Sequence, residues 1–205
     1  LAANLWVPFS RYVFNSLFVS VVATVGHIII ASMCAFAFSK YNIRIKWMFN
    51  VIQTALLFNG TVLWLPQYVI MAKLGLLNTY WGYIFPILPM PLGLFLMKQF
   101  MDQLPDALIE AAVVDGANDY TIMRKIILPL IKSPMSTVAI LAFQSAWNSV
   151  EASNFYINRE SLKTFPFYMS TLSNAAGNAV VGKGVSAAAT LLMFLPNIIL
   201  FIILQ

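Results

Sequence analysis

Residues 109–129 read IEAAVVDGANDYTIMRKIILP, an acidic, soluble-looking stretch inside a chain otherwise suited to lipid. Five of the seven carboxylates, Asp102, Asp106, Glu110, Asp115 and Asp119, fall within residues 102–119, and Arg124, Lys125 and Lys132 follow. Acids first and bases last complement helix dipoles. Pro105 suits a first helical turn, and Asp102, Asp106 and Glu110 at steps of four share one face. Gly116 offers a break before a second helical piece that runs into Leu128 and Pro129. The pattern predicts a helix, a turn and a second helix on a membrane surface. Its acidic half is repelled by an anionic inner leaflet, which favours a protein partner over lipid. A linker that merely covers the ends of its own spans fits the same pattern.

The surroundings set that surface. Of 205 residues, 60% are hydrophobic and only 9% charged, with a mean hydropathy of +0.81, against about a quarter charged in soluble domains. The chain is an all-α, polytopic membrane protein by composition. Its net charge of +5 is scattered over loops without interleaved aromatics, so no nucleic-acid partner is indicated. The single Cys34 cannot form an internal disulfide. One Cys and one His exclude Cys/His metal clusters, and no paired carboxylates suggest a catalytic cleft. A start at Leu1 and an apolar end at Gln205 are expected for part of a longer chain.

Crossing a bilayer takes about 20 largely apolar residues, because lipid offers no partner to an open backbone. Five stretches qualify: Val13 to Ser39, Trp47 to Ala72, Leu76 to Met97, Pro134 to Tyr156 and Val185 to Gln205. Residues 157–184 between the last two are rich in Asn, Gly and Ser and read as a loop with short helical pieces. With the loops at 40–46 and 98–133 inside, the cytoplasmic side holds Lys40, Arg44, Lys46, Lys98, Arg124, Lys125 and Lys132. The other side keeps Arg11, Lys73, Arg159, Lys163 and Lys183. Seven basic residues against five place the acidic stretch in the cytoplasm. Ser16, Ser20, Thr24, His27, Ala31 and Ala35 form a small-residue stripe that lets another helix approach the first span closely. Pro66 in the second span and Pro86, Pro89 and Pro91 in the third suggest helices bent around a cavity, although prolines are common in membrane helices generally.

The quoted stretch resembles the EAA loop of binding-protein-dependent ABC importer permeases. Glu110-Ala111-Ala112, three residues, Gly116-Ala117, eight residues, then Ile126, Leu128 and Pro129 match that pattern, with Asp115 before the glycine. The resemblance implies a type I importer permease fold with six spans in the full chain, five of them here. It treats residues 1–205 as one transmembrane domain with a cytoplasmic coupling loop at 102–129. It implies that the loop lies in a groove on an ATPase subunit, Glu110 meeting basic groups and Gly116 permitting the turn. NSLFVSVVAT and AFAFSKY on the first span, FQSAWNSV, KTFP and the final AAATLLMFLPNIILFIILQ are similar to the carbohydrate, maltose-type branch. The implied partners are a second permease subunit, two cytoplasmic ATPase subunits and an extracytoplasmic solute-binding protein. The implied cargo is a saccharide or related solute, and the implied location is a prokaryotic inner membrane. ATP and magnesium would be held by the ATPase subunits and no cofactor by this chain.

GNAVVGKG, Gly177 to Gly184, falls one residue short of a phosphate-binding loop: Gly184 stands where a hydroxyl should hold magnesium, and no strand leads into it. A coupling loop without a nucleotide site calls for a motor on another chain. For the solute path, Gln144, Trp147, Asn148 and Glu151 on the fourth span, at steps of three, one and three, share one helical face. Amides, a carboxylate and an indole suit a sugar, whose hydroxyls need paired donors and acceptors and whose ring face stacks on aromatics. Glu151 equally fits an outer helix end reaching water, and Trp147 an interfacial anchor. Gln53, Asn59 and Trp64 on the second span are weaker candidates. His27 reads as a packed, hydrogen-bonded group. The competing class is a self-sufficient ion-coupled carrier or channel using His27 or Glu151 as a proton site.

Overall fold

The computed structural model describes residues 7–41, 47–58, 60–175 and 180–204. Among these every regular element is helical. The first span is one unbroken helix, α1 (Phe9–Lys40), the one helix among the described residues that is long and apolar enough to cross a bilayer without a break. The predicted stripe is its buried face: Ser16, Ser20, Thr24, His27, Ala31 and Ala35 are all buried. They pack α1 against α5 (Pro91–Asp102) and α9 (Lys132–Trp147). Small side chains matter because helices in lipid associate by close van der Waals packing, not by expelling water. Phe14, Val21, Val25, Ile29 and Met33 remain exposed on the opposite face, as apolar solvent permits.

The second, third and fourth predicted spans are broken. The second comprises α2 (Trp47–Ala55) and α3 (Gly60–Lys73). The break falls at Leu56–Phe58, where Leu56, Leu57 and Phe58 donate to carbonyls three residues back. Pro66 does not interrupt α3, which runs through it. In the third span, α4 (Trp81–Ile84) and α5 are separated by turns at Phe85–Met90, because Pro86, Pro89 and Pro91 remove three backbone donors. His27 Nδ1 lies 2.9 Å from the Leu88 carbonyl inside that break, so the ring acts as a surrogate backbone donor. Its Nε2 has no partner among the described residues and sits against Gly93, where a Cβ would collide with it. This agrees with a packed, hydrogen-bonded histidine.

The fourth span also departs from expectation. α9 ends at Trp147, and α10 (Glu151–Tyr156) starts after an interruption at Asn148–Val150. Gln144, Trp147, Asn148 and Glu151 therefore do not lie on one continuous helix. Beyond α10, a 3-10 turn (Glu160–Leu162) and α11 (Phe165–Ala175) give the expected short helical pieces. This segment is stapled to the start of α1: Asn15 Nδ2 donates to the Ser161 and Lys163 carbonyls at 2.9 Å each. Ser16 Oγ accepts from the Phe165 amide at 2.7 Å. The last helix, α12 (Val180–Leu204), begins earlier than expected. Of the near-match to a phosphate loop, Gly177, Asn178 and Ala179 lie outside the described residues. Val180 to Gly184 are helix, which cannot form a phosphate cradle of loop amides.

Candidate coupling loop and solute cavity

The acidic stretch folds as its residues dictate. Helix α6 (Ala107–Val114) ends where Gly116 takes φ +80°, a left-handed conformation that glycine adopts without Cβ strain. The Ala117 amide donates to the Ala112 carbonyl and the Gly116 amide to the Val113 carbonyl, each at 2.9 Å, which is the Schellman C-cap. Asn118 then caps α7 (Asp119–Ile122), its Oδ1 accepting from the Thr121 amide at 2.9 Å. The chain passes through a π-helical turn (Met123–Ile127) and α8 (Leu128–Leu130), then bends by 82° into α9. The predicted helix, turn and helix are present.

The motif residues divide by face. Ala112 is buried with Ile122, Ile127, Ile131 and Met101, anchoring the loop to the helices above it. Glu110, Ala111, Asp115, Gly116 and Pro129 are exposed, while Ala117, Ile126 and Leu128 are half-buried. Val114 is 86% exposed, with Leu108 and Val113 also exposed, so the outer surface of α6 combines a carboxylate with uncovered apolar side chains. Two residues at the end of α1 hold the loop, and the sequence reading had not singled them out for that role. Lys40, its side chain only 4% exposed, pairs with Asp106 at 2.8 Å and donates to the Leu104 carbonyl. Tyr41 hydrogen-bonds Asp119; burial, then that bond and its charge, push the phenol up to about 12. These contacts join residues far apart in sequence, and only the KY of AFAFSKY hinted at them. At the end of α5, burial raises the Asp102 carboxyl, but the 2.6 Å bond from Lys98 and nearby positive charge outweigh it and hold the group below its ordinary value.

At the opposite end of α9 lies a half-open cavity of about 430 Å³. Trp64 and Gln67 of α3, Tyr83 of α4, Gln144 and Asn148 at the end of α9, and Glu151 of α10 line it. A second hollow of about 370 Å³ shares Gln144 and Asn148 and continues to Asn197 of α12. Gln144, Asn148 and Glu151 thus converge although the helix beneath them is broken. Trp147 does not: it is 2% exposed, stacks on Phe143 at 5.8 Å and donates its indole N–H to the Met193 carbonyl at 3.0 Å. The cavity's indole is Trp64, stacked on Phe155 at 5.3 Å and tilted against Tyr156 at 5.9 Å. Tyr156 donates to Gln67 Oε1 at 3.0 Å. Asn59 lies outside the described residues, and Gln53 is exposed on α2 but does not line the cavity. Among the described residues no cluster of His, Cys, Asp and Glu could hold a metal ion.

Residues 3–205 match the family model described as binding-protein-dependent transport system inner membrane component. The chain is 30% identical over 192 residues to the arabinooligosaccharides transport system permease protein AraQ of Halalkalibacterium halodurans, covering 93% of this chain and 68% of that protein. It is 27% identical over 216 residues to the sn-glycerol-3-phosphate transport system permease protein UgpE of Shigella flexneri, covering 98% and 75%. Its fold matches a crystal structure of a bacterial ABC transporter involved in import of the acidic polysaccharide alginate, with a TM-score of 0.83, 24% identity, and coverage of 96% of this chain and 74% of that one. With a family match over almost its whole length and the corresponding fold, the chain belongs to the inner-membrane components of binding-protein-dependent transport systems, and is the permease subunit of an ABC importer.

Proposed function

We propose that this permease carries a saccharide or closely related polyol across the inner membrane, driven by separate ATPase subunits that dock on residues 102–129. The carrying observation is the outer surface of α6: Glu110 stands among exposed Leu108, Val113 and Val114, on a loop clamped to α1 by Lys40 and Tyr41 and continuous with α9. A rigid element tied to two membrane helices moves them when it is pushed, which is the requirement for alternating access. Two such ATPase subunits, a second permease chain completing the path and an extracytoplasmic binding protein delivering solute make up the working assembly. The ATPases supply the nucleotide and magnesium sites. The cavity lined by Trp64, Gln67, Gln144, Asn148 and Glu151 is this chain's share of the path, with amides for hydroxyls and an indole for a sugar face.

Replacement of Glu110 by Lys, or of Gly116 by Ala, tests the docking. In the assembled importer either change uncouples ATP hydrolysis from uptake or releases the ATPase. Normal uptake and normal assembly in both variants would refute the docking role. A carrier working alone is not favoured by family membership, and it would move solute in liposomes without ATPase or ATP.

A further inference from the structure

The charge of the cavity wall bears on what passes it. Among the described residues lining the 430 Å³ cavity and the adjoining hollow, Glu151 is the one charged group, and no Lys or Arg faces either space. The Glu151 carboxylate is exposed and, among the described residues, makes no ion pair. The other polar side chains of the lining are uncharged, Gln67, Tyr83, Gln144, Asn148 and Asn197 among them. An unneutralised carboxylate inside a hollow with low-dielectric walls focuses a negative potential, repelling anions and leaving neutral molecules unaffected. Amides, hydroxyls and an indole nevertheless supply what an uncharged polyhydroxylated solute needs.

Resting on the reading of this cavity as the path, we propose that Glu151 makes it a filter for charge: the solute is an uncharged saccharide, and substrates bearing a carboxylate or phosphate are rejected at this wall. A uronate or sugar phosphate would need a cation here to offset Glu151, and among the described residues this chain's wall has none.

The test measures the potential without knowing the solute. In a Cys34→Ser background, Ser145→Cys places a thiol on the cavity wall. The assembled importer is treated with methanethiosulfonates bearing a trimethylammonium or a sulfonate group, each rate divided by its rate with a free small thiol. The cationic reagent is expected to react about tenfold faster after this correction, the size of a single charge at short range in a partly hydrated site. Glu151→Gln should bring the ratio close to one. A corrected ratio near one in the parent, or one unchanged by Glu151→Gln, overturns the filter while leaving the path intact. If neither reagent reaches the thiol while an exposed Val114→Cys control is labelled in the free permease, the path reading itself fails.

Discussion

Gly93→Ala is the sharpest single perturbation of this fold. An added Cβ would collide with His27 Nε2, meet His27 Cε1 at 2.8 Å and touch Val138 Cγ1 at 3.0 Å. These neighbours have little room to yield. His27 is 1% exposed and held by its bond to the Leu88 carbonyl, and Val138 is fully buried on α9. Overpacking of this kind costs about 1–3 kcal/mol. If the ring swings away, the Leu88 carbonyl loses its donor inside the proline break, which costs a further ~1–3 kcal/mol. The total is about 2–6 kcal/mol, and a midpoint shift of about 2–4 °C per kcal/mol then makes the loss easy to see in the thermal inactivation of purified importer. His27→Ala alone destabilises through the orphaned carbonyl. Combined with Gly93→Ala it removes the collision, so the double variant should be at least about 1 kcal/mol more stable than the sum of the single changes implies. A Gly93→Ala variant with an unshifted midpoint, or strictly additive losses, would refute this packing.

Other expectations concern the two functional regions. Gly116→Ala meets no neighbouring atom but holds alanine at φ +80°, a strain of about 1 kcal/mol; coupled uptake should fall while the free permease keeps its yield and midpoint within a few degrees. Trp147→Phe keeps the stacking on Phe143 and deletes the N–H bond to Met193, whose carbonyl still accepts from Asn197 Nδ2, so stability should drop by about 0.5–1.5 kcal/mol with solute affinity unchanged, whereas Trp64→Ala should weaken solute binding. Lys40→Met removes the donor to Asp106 and Leu104 and should loosen the loop, seen as faster amide exchange at 104–110. Asp102 is held below its ordinary value, so it contributes stability above the unfolded-state value that is lost as pH falls through the lower folded one; the midpoint gap between parent and Asp102→Asn should be present at pH 7 and close in acid.

Local chemistry was legible in the chain; distant partners were not. The α1 stripe could be read because small residues at steps of three and four have one structural use in lipid, and the turn at Gly116 because few residues tolerate its backbone. The break after Trp147 carries neither Pro nor Gly, so helical periodicity ran straight through it. That misplaced Trp147, whose position is set by the carbonyl of Met193, 46 residues on. Pro66 was an overstated signal for the converse reason, since α3 continues through it and the span breaks at Leu56–Phe58. Trp64 gained its place in the cavity from Phe155 and Tyr156, contacts that no spacing rule anticipates. The Lys40 and Tyr41 clamps depend in the same way on groups 66 and 78 residues away.

Docking of a separate motor on α6 is tested most directly by protection of one side chain. Val114 is 86% exposed on the chain by itself. In a Cys34→Ser background, Val114→Cys should react readily with a maleimide in the free permease and be shielded in the complete importer, with reactivity restored when the ATPase subunits are stripped away. Equal labelling in the presence and absence of the ATPase subunits would contradict the coupling role of residues 102–129.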